Sequence, residues 1–209
     1  YAALTANTTG DNNTAIGYEA LKDNTTGGYN TAVGMQALEN NTTGRNASFG
    51  YRSLRTVTTG MNNTACGDHA LNACTGDFNT AVGHAAMQQS SSIEGNTAVG
   101  CRAMEQTTTG DANVGIGASA LNANTTGANN VAVGVSTLDA NTTGSYNVGL
   151  GSSALGANTT ASNNTAVGYN ALTANTTGAK NTAFGTQALA LNTTSDDSVA
   201  VGYYALHNN

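Results

Sequence analysis

The chain has no proline and no tryptophan in 209 residues, and only 5% of it is aromatic and 9% charged. Side chains large enough to fill a globular core are scarce, so this composition does not build an ordinary one- or two-domain globule. Positive charge is scarcer still, with six Lys and Arg against twelve Asp and Glu and a net charge of -6. That balance excludes nucleic acid as a partner, because clustered cations are needed to displace counterions from phosphates. No apolar run approaches the roughly 18 residues of a membrane span, and no signal peptide is visible. The three cysteines, Cys66, Cys74 and Cys101, are odd in number and lack CxxC spacing. Neither a disulfide framework nor a zinc site is implied.

What the chain does have is a repeat. The stretch NTAVGYNALTANTTG, residues 164–178, recurs from one end to the other. Its TAVG glycine has twelve equivalents: Gly17, Gly34, Gly50, Gly67, Gly83, Gly100, Gly117, Gly134, Gly151, Gly168, Gly185 and Gly202. The spacing is 17 residues, shortened to 16 between Gly34 and Gly50 and between Gly67 and Gly83. Low hydrophobicity alone would permit disorder, but apolar residues held at fixed phase argue for stacked repeats.

Before each anchor stands an apolar residue: Ile16, Val33, Phe49, Cys66, Val82, Val99, Ile116, Val133, Leu150, Val167, Phe184 and Val201. Four after it stand Leu21, Leu38, Leu54, Leu71, Met87, Met104, Leu121, Leu138, Leu155, Leu172, Leu189 and Leu206. Two apolar columns in 17 residues are too few for a helix pair and suit a solenoid of short strands, with both columns expected in the core. Thr or Val three before the anchor, as at Thr165 and Val148, completes a β-branched strand signature. By strand alternation the intervening Ala, Ser or Gly, from Ala15 to Ala200, is expected to face away from the core and form a smooth surface that another backbone could approach.

The corners follow the same logic. Asn13, Asn30, Asn46, Asn63, Asn79, Asn96, Asn113, Asn130, Asn147, Asn164 and Asn181 share a column that reads as a ladder, each amide reaching its copy in the next coil. Thr25, Thr125 and their equivalents form another column, followed by a second Thr and then by Gly27, Gly44, Gly60, Gly110, Gly127, Gly144 or Gly178. These glycines are expected to supply positive φ at a corner. At a strand spacing of ~4.8 Å, twelve coils make a rod of roughly 57 Å. The sequence thus specifies an all-β parallel β-solenoid of about twelve 17-residue coils, continuous over residues 1–209. Tyr1 falls in the column after the anchor with Tyr18, Tyr51, Tyr169 and Tyr203, and the chain opens and closes inside a coil without a cap. A window of a longer fibre protein is the expectation.

The coils NVGIGASAL, NNVAVGVSTL, YNVGLGSSAL and DSVAVGYYAL resemble the NSVAIG repeat of the YadA-like heads of trimeric autotransporter adhesins. NTAIGYEALKDNTTG and NTAVGYNALTANTTG are similar to repeats in bacteriophage tail fibres and related large bacterial surface proteins. The resemblance covers all twelve coils. It implies a left-handed β-roll assembled as a homotrimer on an extracellular, cell-surface or virion fibre, with the small-residue face a natural candidate for chain contact. The 17-residue coil is longer than the usual adhesin-head unit.

One constellation carries reactive chemistry. In the column after the anchor, successive coils place Asp68, His84 and Cys101 in line, with His69 and Cys66 nearby. Such a grouping suits nucleophilic catalysis or metal binding, but the same column holds Tyr18, Met35, Ala118, Val135 and Ser152. It reads as a variable outer surface on a rod that lacks the walls a site needs. The calcium repeat GGxGxD is absent, and no motif for a cofactor or metal is present. The expected function is non-enzymatic: a structural shaft that spaces and displays, with any host-surface or glycan ligand meeting Tyr18, Arg52, His69, His84, Arg102 or Tyr203. Two alternatives follow from the NTT corners. The Thr columns could order ice, although adjacent Thr residues in a strand face opposite ways. The NTT sites at Asn7, Asn24, Asn41, Asn124, Asn141, Asn158, Asn175 and Asn192 are also glycosylation acceptors, which would make the chain a glycosylated self-assembling filament in a eukaryote.

Overall fold

Each copy of the Thr/Val, small, apolar triplet is long enough for one three-residue strand, and each forms one. The computed structural model describes residues 2–208, so Tyr1 lies outside the described residues. Twelve strands run in chain order from β1 (Thr14–Ile16) to β12 (Val199–Val201) as one parallel sheet. Like pairs with like at every step: Thr165 opposes Val148 and Thr182, while Val167 opposes Leu150 and Phe184. Twelve strands in sequence order make about eleven turns, so the chain is an all-β parallel solenoid with coils of ~17 residues.

The strand faces are the reverse of the expectation. The middle residue points inward: Ala32, Ala65, Ala81, Ala98, Ala132, Ala166 and Ala183 are fully buried. The apolar residue before the anchor points out. Val82 is 37% and Val201 71% exposed, Ile16 is 61% exposed, and Val33, Val99, Val133 and Val167 are only half-buried. The Leu column is fully buried from Leu21 to Leu189, including Leu38, Leu121, Leu138, Leu155 and Leu172, while Leu206 in the last coil is half exposed. Period-two alternation separates two faces without saying which is inner. Here a 17-residue coil encloses so narrow a section that one Leu, the strand Ala and a second Ala, as at Ala20, Ala37 and Ala171, fill it.

Departures inside this core compensate one another between stacked coils or within one. Where Thr137 replaces the second Ala, the strand residue stacked next is Gly149, at which a Cβ would lie 2.6 Å from Thr137 Cγ2. Where Met104 replaces Leu, the partner is Gly115, at which a Cβ would lie 2.9 Å from Met104 Cγ. Ser48 and Ser53 occur together, and Ser48 Oγ donates to the Ser53 carbonyl at 2.8 Å. Volume is conserved because close packing tolerates neither a void nor a clash.

The turns also differ from the expectation. Gly27 and its equivalents do not adopt positive φ; at Gly60 the reason for glycine is contact, since a Cβ would stand 2.5 Å from the Gly76 carbonyl oxygen of the next coil. Left-handed backbone instead falls on the anchor glycines and on three non-glycine columns, exemplified by Ser153 (φ 55), Leu155 (φ 54) and Asn163 (φ 64). A leucine held there costs about 1–2 kcal/mol, offset by its complete burial in the stack.

Candidate functional site

The most extensive polar structure is the corner asparagine ladder, which runs Asn13, Asn30, Asn46, Asn63, Asn79, Asn96, Asn113, Asn130, Asn147, Asn164, Asn181. Its geometry differs from simple amide stacking. Each Oδ1 accepts the backbone N–H of the next coil's residue, as from Asn113 to Asn96 at 2.8 Å and from Asn164 to Asn147 at 3.0 Å. Each Nδ2 donates across the corner to a carbonyl, as Asn113 does to Gly127 and Asn164 to Gly178, both at 2.9 Å. Direct amide-to-amide bonds are added at some steps, including Asn79 to Asn63 and Asn130 to Asn113, both at 3.1 Å. The amide thereby supplies a donor and an acceptor to a buried backbone that turns away from its own sheet.

A second ladder lies inside the NTT corner. Asn141, Asn158 and Asn175 donate Nδ2 to Oδ1 of Asn124, Asn141 and Asn158, at 2.9, 2.9 and 3.1 Å, and also to the corner carbonyl three residues on. Asn24, Asn41, Asn124, Asn141, Asn158, Asn175 and Asn192 are fully buried, so none of these acceptor motifs presents its nitrogen to a glycosylating enzyme in the folded chain; Asn7 is exposed. The neighbouring Thr hydroxyls are likewise committed. Thr125 Oγ1 donates to the Thr142 carbonyl at 2.9 Å, and Thr142 Oγ1 to that of Thr159 at 3.0 Å, along the stack rather than to water.

Val57, Cys74, Ser90 and Thr107 interrupt the second ladder, and the buried Ser90 Oγ and Thr107 Oγ1 have no partner. Replacing Thr107→Asn restores the column's own residue. Its Nδ2 can reach the Gly110 carbonyl and Ser90 Oγ, and its Oδ1 can accept from Asn124. A gain of about 1 kcal/mol is expected, read as a raised thermal midpoint.

The column after the anchor does bring the reactive residues together. His84 Nε2 lies 3.7 Å from Asp68 Oδ2, Cys101 Sγ lies 4.0 Å from His84 Nδ1, and His69 Nδ1 is bonded to Asp68 Oδ1 at 2.5 Å. The Tyr51 ring packs edge-on to His69 with centroids 5.2 Å apart. Asp68, His84 and Cys101 are exposed and line neither of the two chief surface grooves. They form a solvent-facing chain of contacts with no substrate-sized enclosure. Among the described residues, no three His, Cys, Asp or Glu side chains converge to hold a metal ion. Cys66 stands apart from this line, exposed on the outer sheet face, while Cys74 is buried in the corner, where desolvation pushes its thiol up to about 11.

The charged residues form ladders of their own. Lys22 Nζ bonds Glu19 at 3.0 Å, Arg55 Nε bonds Glu39 at 2.6 Å, and Arg52 Nε donates to Gln36 Oε1 at 2.8 Å while lying over Tyr51. Hydrogen bonds from Gln36 and then Lys22 hold the Glu19 carboxyl below its ordinary range. Arg102 lies 3.8 Å from Glu105. Arg55–Glu39 and Arg52–Gln36 cross-brace successive coils, whereas Lys22–Glu19 and Arg102–Glu105 lie within one coil; with the cations open to solvent, each pair is worth little alone.

The outer sheet face is left without a counterpart within the chain. From Ile16 to Val201 it presents only Thr, Val, Ala, Ile, Phe, Leu and Cys, with no charged residue. Sequence reasoning misplaced this face because it assigned the bulkier strand residue to the interior; the extreme smallness of the alternate residue was the signal that could have located it. No helix among the described residues is long and apolar enough to cross a membrane. Compared with known proteins, the chain matches no family model, no curated protein and no solved structure.

Proposed function

We propose that the chain is a non-enzymatic structural shaft that associates with copies of itself through the outer face of its sheet and holds other parts of an extracellular fibre or adhesin at a distance. One observation carries this reading: an uncharged, largely apolar strip extends along every strand from Ile16 to Val201. Contiguous exposed apolar surface on that scale marks an interaction site, and a face whose composition repeats coil by coil is best complemented by the same face of another copy. Three copies, and a cell-surface or virion setting, are what the resemblance of the repeats implies. The smooth Ala column takes no part, because it lies inside each coil.

Cys66 provides the test, since it lies on this face while Cys74 is buried and Cys101 is exposed elsewhere. In a Cys101→Ser background, a short bis-maleimide is expected to join Cys66 residues of separate chains in high yield, with light scattering showing a trimer. A monomeric mass with no cross-linked product would sink the proposal. It would leave a free-standing solenoid, for which a thermal hysteresis assay decides the ice-binding alternative.

A further inference from the structure

A groove of about 530 Å³ runs up one corner across the first four coils. Thr9 and Thr26 form one bank, Tyr29 and Arg45 the other, and Gly28 and Gly44 the floor, with Asp11 at one end and Met61 at the other. The floor at Gly28 and Gly44 is bare backbone; in other coils the side chains of this column turn along the stack, where Asp111, Ser145, Ser162 and Asp196 each accept a backbone N–H of the preceding coil. The volume falls within the range of small-molecule sites.

Tyr29 and Arg45 stand in adjacent coils along this groove. Both occupy left-handed backbone, with φ of 62 and 65, as Asn12, Asn62, Asn129 and Asn163, and also Phe78, Tyr146 and Lys180, do in the same column. Asn tolerates that conformation far better than a bulky side chain. No compensating contact is present: Tyr29 is 65% exposed, and the Arg45 guanidinium makes no ion pair or side-chain hydrogen bond, whereas Lys22, Arg52, Arg55 and Arg102 are all engaged. Together they present an exposed aromatic ring and an uncommitted guanidinium to one groove.

We infer that this groove binds an acidic sugar one or two pyranose rings long. The Tyr29 ring offers a flat apolar face for the C–H surface of a pyranose, and the unpaired Arg45 offers a forked donor for a carboxylate. Asp11 accepts hydroxyl protons two coils away, about 10 Å at one strand spacing per coil, which is the span of a disaccharide. The inference needs no association between copies, so it can stand or fall separately from the cross-linking result at Cys66.

Titration of the ¹⁵N-labelled chain with digalacturonate, followed by NMR, tests it. Dissociation near 1 mM is expected for so shallow a groove, with shifts confined to amides around Gly28, Tyr29, Gly44 and Arg45. Arg45→Asn and Tyr29→Asn, which install the column's own residue and keep the fold, are expected to weaken binding at least about tenfold. Uncharged digalactose is expected to bind about tenfold less tightly. No shift at 10 mM digalacturonate, binding unchanged in Arg45→Asn, or equal binding of digalactose would each overturn the inference.

Discussion

Gly151→Ala is expected to destabilise the chain by about 4 kcal/mol, combining a side chain forced into a glycine-only backbone region with lost hydrogen bonds between coils. Gly151 has φ 129, and a Cβ there would lie 2.6 Å from the Gly168 carbonyl oxygen and 2.7 Å from its carbonyl carbon. Those atoms are backbone and cannot swing aside. The coils must separate locally, straining the bonds from Gly168 N to Leu150 O at 2.8 Å and from Asn170 N to Ser152 O at 3.1 Å. Gly202→Ala is the control. Its φ is 128, but the nearest atom to its Cβ would be Ala205 Cβ at 3.8 Å, an ordinary contact. In the 209-residue chain it should lose only the conformational part, about 1–2 kcal/mol. Thermal midpoints, with hydrogen exchange of the amides at 168 and 170, separate the two; equal losses would show that stacking at the anchor glycine is not what the fold depends on. Exchange is the better readout, because repeat arrays open locally rather than all at once.

The second large effect is expected at Asn147. Its Oδ1 accepts the buried Asn164 N–H at 3.0 Å, and its Nδ2 donates to the Ala161 carbonyl at 2.9 Å. Asn147→Ala leaves that N–H with no partner and opens a gap inside the corner, a loss of about 3 kcal/mol. Asn147→Asp discriminates between shape and hydrogen bonding. It keeps the volume and the acceptor but turns a carboxylate toward the Ala161 carbonyl in a fully buried site. Burial raises the folded-state pKa of such a group above its unfolded value. Its stability deficit is therefore greatest at neutral pH and shrinks as the pH falls toward the unfolded carboxyl range, where the protonated acid can donate as the amide did. Thermal midpoints of wild type and variant should converge between pH 7 and about pH 4. Parallel midpoints across that range would show that the amide's hydrogen bonds are not the important quantity.

Much of the architecture is legible in the residues because a repeat superposes its own evidence: twelve variants of TAVG place twelve strands, and eleven asparagines at one phase place one corner. The candidate surfaces are less legible. That Asp68, His84 and Cys101 would fall in line follows from register alone, but that they would stand in open solvent depends on the coil's cross-section. The groove beside Tyr29 and Arg45 leaves only a faint mark in the sequence, a residue missing before Thr43, so that Thr43 rather than Gly44 stands over Gly27, and adjacent glycines at 28 and 44 where most coils carry a side chain. Left-handed leucines leave none, since no local preference asks for them.

The sequence by itself determined the period, the parallel in-register stacking and the asparagine corner, because identical residues at identical phase can satisfy one another only when each coil lies on the last. Only the tertiary structure decided which strand face looks inward. Alternation is symmetric between the two faces, and the choice falls to volume: the interior of a 17-residue coil admits alanine beside leucine and leaves no room for a second column of valine, isoleucine and phenylalanine.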